Sequence, residues 1–233
     1  MSKLLTTLLF LSIGLVLNAQ AKELPLNDLL CEKFRKDGDI YICECRSITP
    51  LGWSKDGLFA YELSDSYYEM NYRGLFIVDV KRNEVVASIS NHSDHEEANY
   101  KNYKKSLLGL YEITQDKVKF KHSRHLEFNG EKYRFGIYSK TQHIPSKLVS
   151  QCKRAEVIVK KTIDESIVYR HHFYTDLDGE TSGSFKYIGY SQSPYQKNLL
   201  VLYSVIHEYW PEGDDLYYKP KVLGVDMSSF DLK

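Results

Sequence analysis

The sequence predicts a mainly β fold, antiparallel meander sheets with one amphipathic helix, and three observations carry that expectation. Short apolar or alternating runs recur along the chain, separated by turn residues. Asn129-Gly130 lies between two of them, and both residue types tolerate the positive φ of a tight hairpin. A single stretch, 93–113, breaks the strand rhythm and repeats aromatic and leucine residues at helical spacing.

Taken in order, residues 1–21 read as a secretory signal peptide. Lys3 supplies the positive start, 4–17 an apolar run, and Ala19-Gln20-Ala21 the small-x-small pattern a signal peptidase requires. The run is broken by Thr6, Thr7, Ser12 and Asn18 and falls short of the ~20 apolar residues of a membrane span. The expected mature chain starts at Lys22, is periplasmic or secreted, and has no stable membrane anchor. Residues 22–233 then form a single mainly β domain.

Residues 40–45 are the first predicted strand, followed by a turn over 52–57 and strands at 58–61, 75–80 and 84–89. Four short strands joined by turn signals describe a meander. In 93–113, Ser93 and Glu96 fit a capping box, and Tyr100, Tyr103, Leu107 and Tyr111 form the helix's apolar face. Strands resume at 125–128 and 133–138 around Asn129-Gly130, then at 156–162 and 166–173 around Ile163-Asp164-Glu165. After a polar turn, 185–190, 199–205 and 222–227 complete the set.

An internal echo runs through these elements. Gly52-Trp53-Ser54, Leu58-Phe59-Ala60-Tyr61, Tyr67-Tyr68 and Ile77-Val78-Asp79-Val80 recur in order as Gly189-Tyr190-Ser191, Leu199-Leu200-Val201-Leu202-Tyr203, Tyr217-Tyr218 and Gly224-Val225-Asp226-Met227. It suggests two related meander units, at about 39–90 and 185–228.

The segment Gly52 to Tyr61 (Gly-Trp-Ser-Lys-Asp-Gly-Leu-Phe-Ala-Tyr) resembles the turn-and-strand signature of a TolB-type β-propeller blade, with Lys55 where that signature has Pro. The resemblance implies propeller-blade-like sheets, with Asp56-Gly57 making the turn and Trp53 covering the blade interior. Gly52 to Gly57 together with Glu212-Gly213-Asp214-Asp215 also resembles a family of predicted secreted bacterial proteins of unknown function. That family implies no activity.

The 31 acidic and 31 basic residues balance, which argues against broad electrostatic capture of nucleic acid or an anionic membrane. Cys31, Cys43, Cys45 and Cys152 form an even set, which in an oxidising compartment favours disulfides among three connectivities. Closing the short Cys43–Cys45 ring would be strained, so one of these is expected to join Cys31 and the other Cys152. Reduced, buried thiols are the alternative.

Chemistry is sparsely signalled. His92-x-x-His95, His122-x-x-His125, His171 and His172 bring imidazoles, but a zinc site needs three or four converging ligands, and no metal is expected. Asp176-x-Asp178-Gly179-Glu180 resembles part of a calcium loop yet reads more simply as an Asp-Gly turn. No G-x-S-x-G, P-loop or dinucleotide fingerprint is present, and no cofactor is expected.

Two aromatic-acidic segments remain. Tyr67, Tyr68 and Tyr72 accompany Asp65 and Glu69. Tyr209, Trp210, Tyr217 and Tyr218 accompany Glu208, Glu212, Asp214 and Asp215. Set on hairpin loops, flat apolar faces beside carboxylates suit a sugar or a peptide. The commoner reading of such tyrosines is cross-strand pairing, because tyrosine favours strands throughout this chain. The function expected is a non-catalytic binding or interaction module of the cell envelope, with Tyr67, Tyr68, Tyr209, Trp210, Tyr217 and Tyr218 contacting a glycan, peptide or envelope protein. The alternative is a secreted hydrolase using carboxylate or metal chemistry.

Overall fold

A computed structural model describes residues 34–36, 39–41, 44–65, 72–91, 97–115, 118–143, 150–174, 182–209 and 216–232. The signal peptide, Cys31, Cys43, Ser93 and Glu96 lie outside the described residues. Among the described residues the fold is mainly β, with one α-helix.

A two-stranded ribbon, β1 (Phe34–Lys36) and β2 (Asp39–Tyr41), precedes a four-stranded antiparallel meander of β3 (Glu44–Trp53), β4 (Leu58–Asp65), β5 (Tyr72–Asp79) and β6 (Glu84–Asn91). The helix α1 (Glu97–Leu110) follows, then the short β7 (Phe120–Lys121). A second sheet holds β8 (His125–Phe128), β9 (Glu131–His143), β10 (Ser150–Lys161) and β11 (Ile167–Tyr174) in chain order. A second meander of β12 (Ser182–Gln192), β13 (Leu199–Tyr209) and β14 (Leu216–Asp226) ends in a 3-10 helix, Met227–Leu232. Its first strand, β12, also pairs with β7.

The two meanders belong to one eight-stranded sheet, ordered β6-β5-β4-β3-β14-β13-β12-β7. They join where β3 and β14 run parallel, Glu44 opposite Tyr217 and Cys45 opposite Tyr218. Beyond this short join the meanders pack face to face. Ile48, Trp53 and Phe59 of the first meet Ile188, Leu199, Val201, Tyr203 and Val205 of the second in one buried cluster. Tyr187, Leu200, Leu202, Leu223 and Val225 of the second meander's other face pack on Tyr133, Phe135, Val157 and Val159 of β9 and β10. Outside the first meander, Ala60, Leu75 and Ile77 lie under Tyr100 and Leu108 of α1. The layers therefore stack as helix, first meander, second meander and four-stranded sheet.

This order explains why 199–205 is an unbroken apolar run with a single serine. A strand covered on both faces has no solvent side to make polar, and all seven residues are buried. Phe59, Tyr61 and Leu63 of β4 face the neighbouring meander, while Leu58 and Ala60 face the helix side.

Several elements differ from the sequence expectation. The expected strand 40–45 is divided: Ile40 and Tyr41 belong to β2, while β3 starts at Glu44 and runs on to Trp53, its bulge between Pro50 and Gly52 accommodating a proline that cannot donate to the ladder. The turn that follows is 54–57, with Gly57 at φ 96° and its N–H donating to Ser54 O at 3.3 Å. Of the expected helix face, Tyr100, Leu107 and Tyr111 pack on the sheet beside Leu108, while Tyr103 is 63% exposed. Lys104 takes the place on that face by pairing with Glu62 of β4.

Candidate functional site

The β4–β5 ladder runs from Leu58 opposite Asp79 to Asp65 opposite Tyr72. The β13–β14 ladder runs from Leu199 opposite Asp226 to Tyr209 opposite Leu216. Because β3 and β14 are parallel where they meet, both ladders end at the same end of the sheet. Arg46 of β3 stands opposite Asp65, and the neighbouring Cys45 opposite Tyr218. The strand ends leading into 66–71 and 210–215 are thus neighbours across the β3–β14 join.

The candidate binding residues divide accordingly. Tyr67, Tyr68 and Trp210 lie outside the described residues, as do Glu69, Glu212, Asp214 and Asp215. Tyr209, Tyr217 and Tyr218 were expected in a loop and stand in strands instead, because the ladder continues to Leu216. Glu208 is opposite Tyr217, and His207 opposite Tyr218.

A polar group behind this end ties α1 to the sheet. The Tyr100 hydroxyl donates to Glu62 Oε1 at 2.9 Å, and Lys104 Nζ pairs with Oε2 of the same carboxylate. Burial, then the bond to Glu62, pushes the Tyr100 hydroxyl well above the ordinary tyrosine value, against the opposing charge of Arg73. Tyr61 is pushed up to about 12 by burial and by neighbouring Tyr72. Both phenols therefore stay protonated at neutral pH, and that of Tyr100 donates to Glu62. The sequence carried a signal for this group, since Tyr100 and Lys104 are four apart on one helix face. Their common partner Glu62 was not legible.

The described histidines stand on different strands and loops. His122 Nδ1 donates to Ile188 O at 2.6 Å, while His125 is exposed on β8. His171 is half-buried, its imidazole held below the ordinary value by burial and by His172. His172 Nδ1 is 3.2 Å from Glu156 Oε1. Among the described residues no group of three or more His, Cys, Asp or Glu is arranged to hold a metal ion. His92, His95 and Asp176-x-Asp178-Gly179-Glu180 lie outside them. Cys45 stands second in β3 at the parallel join, and Cys152 stands in β10 opposite Thr141. No helix among the described residues is long and apolar enough to cross a membrane.

No family model, curated protein or solved structure matches this chain.

Proposed function

We propose that this chain is an exported, non-catalytic binding or interaction protein of the cell envelope, and that its ligand meets the end of the eight-stranded sheet where β4–β5 and β13–β14 finish. One observation carries the reading. The parallel β3–β14 join sets two tyrosine-bearing, acid-bearing ladder ends beside each other. Tyrosines and acids together at a strand end supply flat apolar faces beside hydrogen-bonding groups, which suit a sugar or a peptide. The leader at 1–21 supports export, with disulfides among the four cysteines following from an oxidising destination.

Glycan and peptide arrays probed with the exported protein test it. Retention of a glycan or peptide is expected, with a drop of about tenfold or more in Tyr217→Ala/Tyr218→Ala. Turnover in a hydrolase screen, with no array binding, would replace the reading with the enzyme class.

A further inference from the structure

We infer that the segment around β7, up to the start of β8, is a second contact surface, a row of unpaired cations that meets the phosphates of an anionic lipid bilayer. It is independent of the sheet end described above.

From 117 to 126 the sequence has no aspartate or glutamate, while Lys119, Lys121 and Arg124 follow in quick succession. The balanced charge of the whole chain therefore conceals a local excess. Val118 and Phe120 pack into the cluster between the two meanders, so alternation along the extended chain turns Lys119 and Lys121 away from it. Both lysines are exposed, as are His122, Arg124 and His125. Among the described residues no carboxylate pairs with Lys119, Lys121 or Arg124. By contrast Lys104 meets Glu62, Arg134 and Lys160 share Glu165, Lys161 meets Glu131, and Arg170 meets Glu156. The next acid along the chain, Glu127, stands opposite Lys132.

Other groups hold the backbone of this segment. Tyr187 and Tyr190 of β12 donate their hydroxyls to Ser123 O at 3.0 Å and His125 O at 3.4 Å. His122 Nδ1 donates back to Ile188 O at 2.6 Å, and Phe135 N of β9 donates to Arg124 O at 2.8 Å. The main chain is thus fixed from beneath by groups other than Lys119, Lys121 and Arg124. Lys121 Nζ stands 5.7 Å from the centre of the Tyr190 ring, and the charge of Arg124 acts on the Tyr187 phenol. Phe135 packs on both of those rings, so the two cations rise beside one aromatic group.

The spacing selects the ligand. Lys119 and Lys121 are roughly 7 Å apart, two residues along an extended chain, and Arg124 lies beyond a bend. Exposed cations spread in this way meet separate phosphates rather than closing on one ion. A bilayer face supplies many phosphates in one plane. Edge lysines also discourage another strand from pairing, but β7 has only two residues and needs little such protection. The row lies at the far end of β12. That strand runs from Ser182, opposite Tyr209, to Gln192, opposite Leu200, and β7 pairs with its Tyr190 and Ser191. Lipid contact there is roughly 25 Å along β12 from the end where β13–β14 finishes, which leaves that end open to its own ligand.

Co-sedimentation of the exported protein with phosphatidylglycerol-containing and with pure phosphatidylcholine vesicles tests this. Binding is expected only with phosphatidylglycerol, and it should weaken as salt is raised. Lys119→Ala, Lys121→Ala and Arg124→Ala should each lower it about fivefold, and the triple variant about a hundredfold, with unchanged melting temperatures. Lys119→Arg/Lys121→Arg should bind as the native chain does. Equal binding to both vesicle types, or full binding by the triple variant, overturns the inference. Complete displacement by inorganic phosphate, at an ionic strength matched with chloride, also overturns it by marking a free-ion site. Preference for a nucleic acid oligomer over the vesicles does the same by marking a different polyanion. Tyr217→Ala/Tyr218→Ala should leave vesicle binding intact, and a loss there would assign the lipid to the sheet end instead. Failed vesicle binding with retained array binding would overturn the cation row and leave the proposed function standing.

Discussion

Gly52 shows how one missing side chain holds two segments together. Its Cα faces Thr114, and a methyl group there would overlap that carbonyl rather than a movable side chain. Gly130 is glycine for a different reason. It lies in open space at φ 78°, beside Asn129 at φ 52°, in the hairpin turn between β8 and β9. Gly52→Ala is therefore expected to cost about 3 kcal/mol in urea unfolding, since a backbone clash must be relieved by moving a strand. Gly130→Ala should cost only about 1 kcal/mol, the strain of the left-handed conformation alone. Equal losses would mean that the segment at Thr114 does not press on β3. Trp53, next in sequence, is 2% exposed and packs on Phe59 with ring centroids 4.8 Å apart. Its indole N–H has no hydrogen-bond partner among the described residues.

The helix α1 illustrates how an element ends when the sequence offers no glycine at the right place. Ile113 N donates to Leu108 O at 2.8 Å and Glu112 N to Gly109 O at 3.1 Å, the paired bonds of a Schellman cap. Glu112 takes the left-handed position at φ 51°, normally glycine's, while Gly109 sits within the last turn. Leu108 and Ile113 share the buried cluster under the helix, so the hydrophobic contact of the motif is also made. Glu112 is exposed, and replacing it removes only the backbone strain. Glu112→Gly is expected to stabilise the protein by about 1 kcal/mol, read as a higher urea midpoint with an unchanged slope. A lower midpoint would show that the glutamate side chain contributes more than its conformation costs.

Across the whole molecule, stability centres on β13. Leu202 packs toward the four-stranded sheet, while Val201 and Tyr203 pack toward the first meander, so one strand belongs to two cores at once. Amides of β13 should accordingly be the slowest to exchange with deuterium, opening only with global unfolding. Those of α1, bound along a single face, should exchange earlier through local opening. Leu202→Ala should cost about 3 kcal/mol and accelerate exchange in both meanders and in the four-stranded sheet together. Faster exchange confined to β9 and β10 would indicate that the layers unfold separately.

The residues by themselves determined the strand-rich class, the hairpin at Asn129-Gly130, a helix within 93–113 and the aspartate-glycine turn before Leu58. These features depend on side-chain periodicity and on φ preferences, which act between neighbours in the chain. Only the tertiary structure decided that β3 and β14 lie parallel, that Tyr217 and Tyr218 are strand residues, that Lys104 rather than Tyr103 completes the helix face, and that Glu62 joins α1 to the sheet. Each of these depends on which surfaces meet across long separations in sequence. That choice is made by burying area and satisfying polar groups over the whole stack, and no local window of residues contains it.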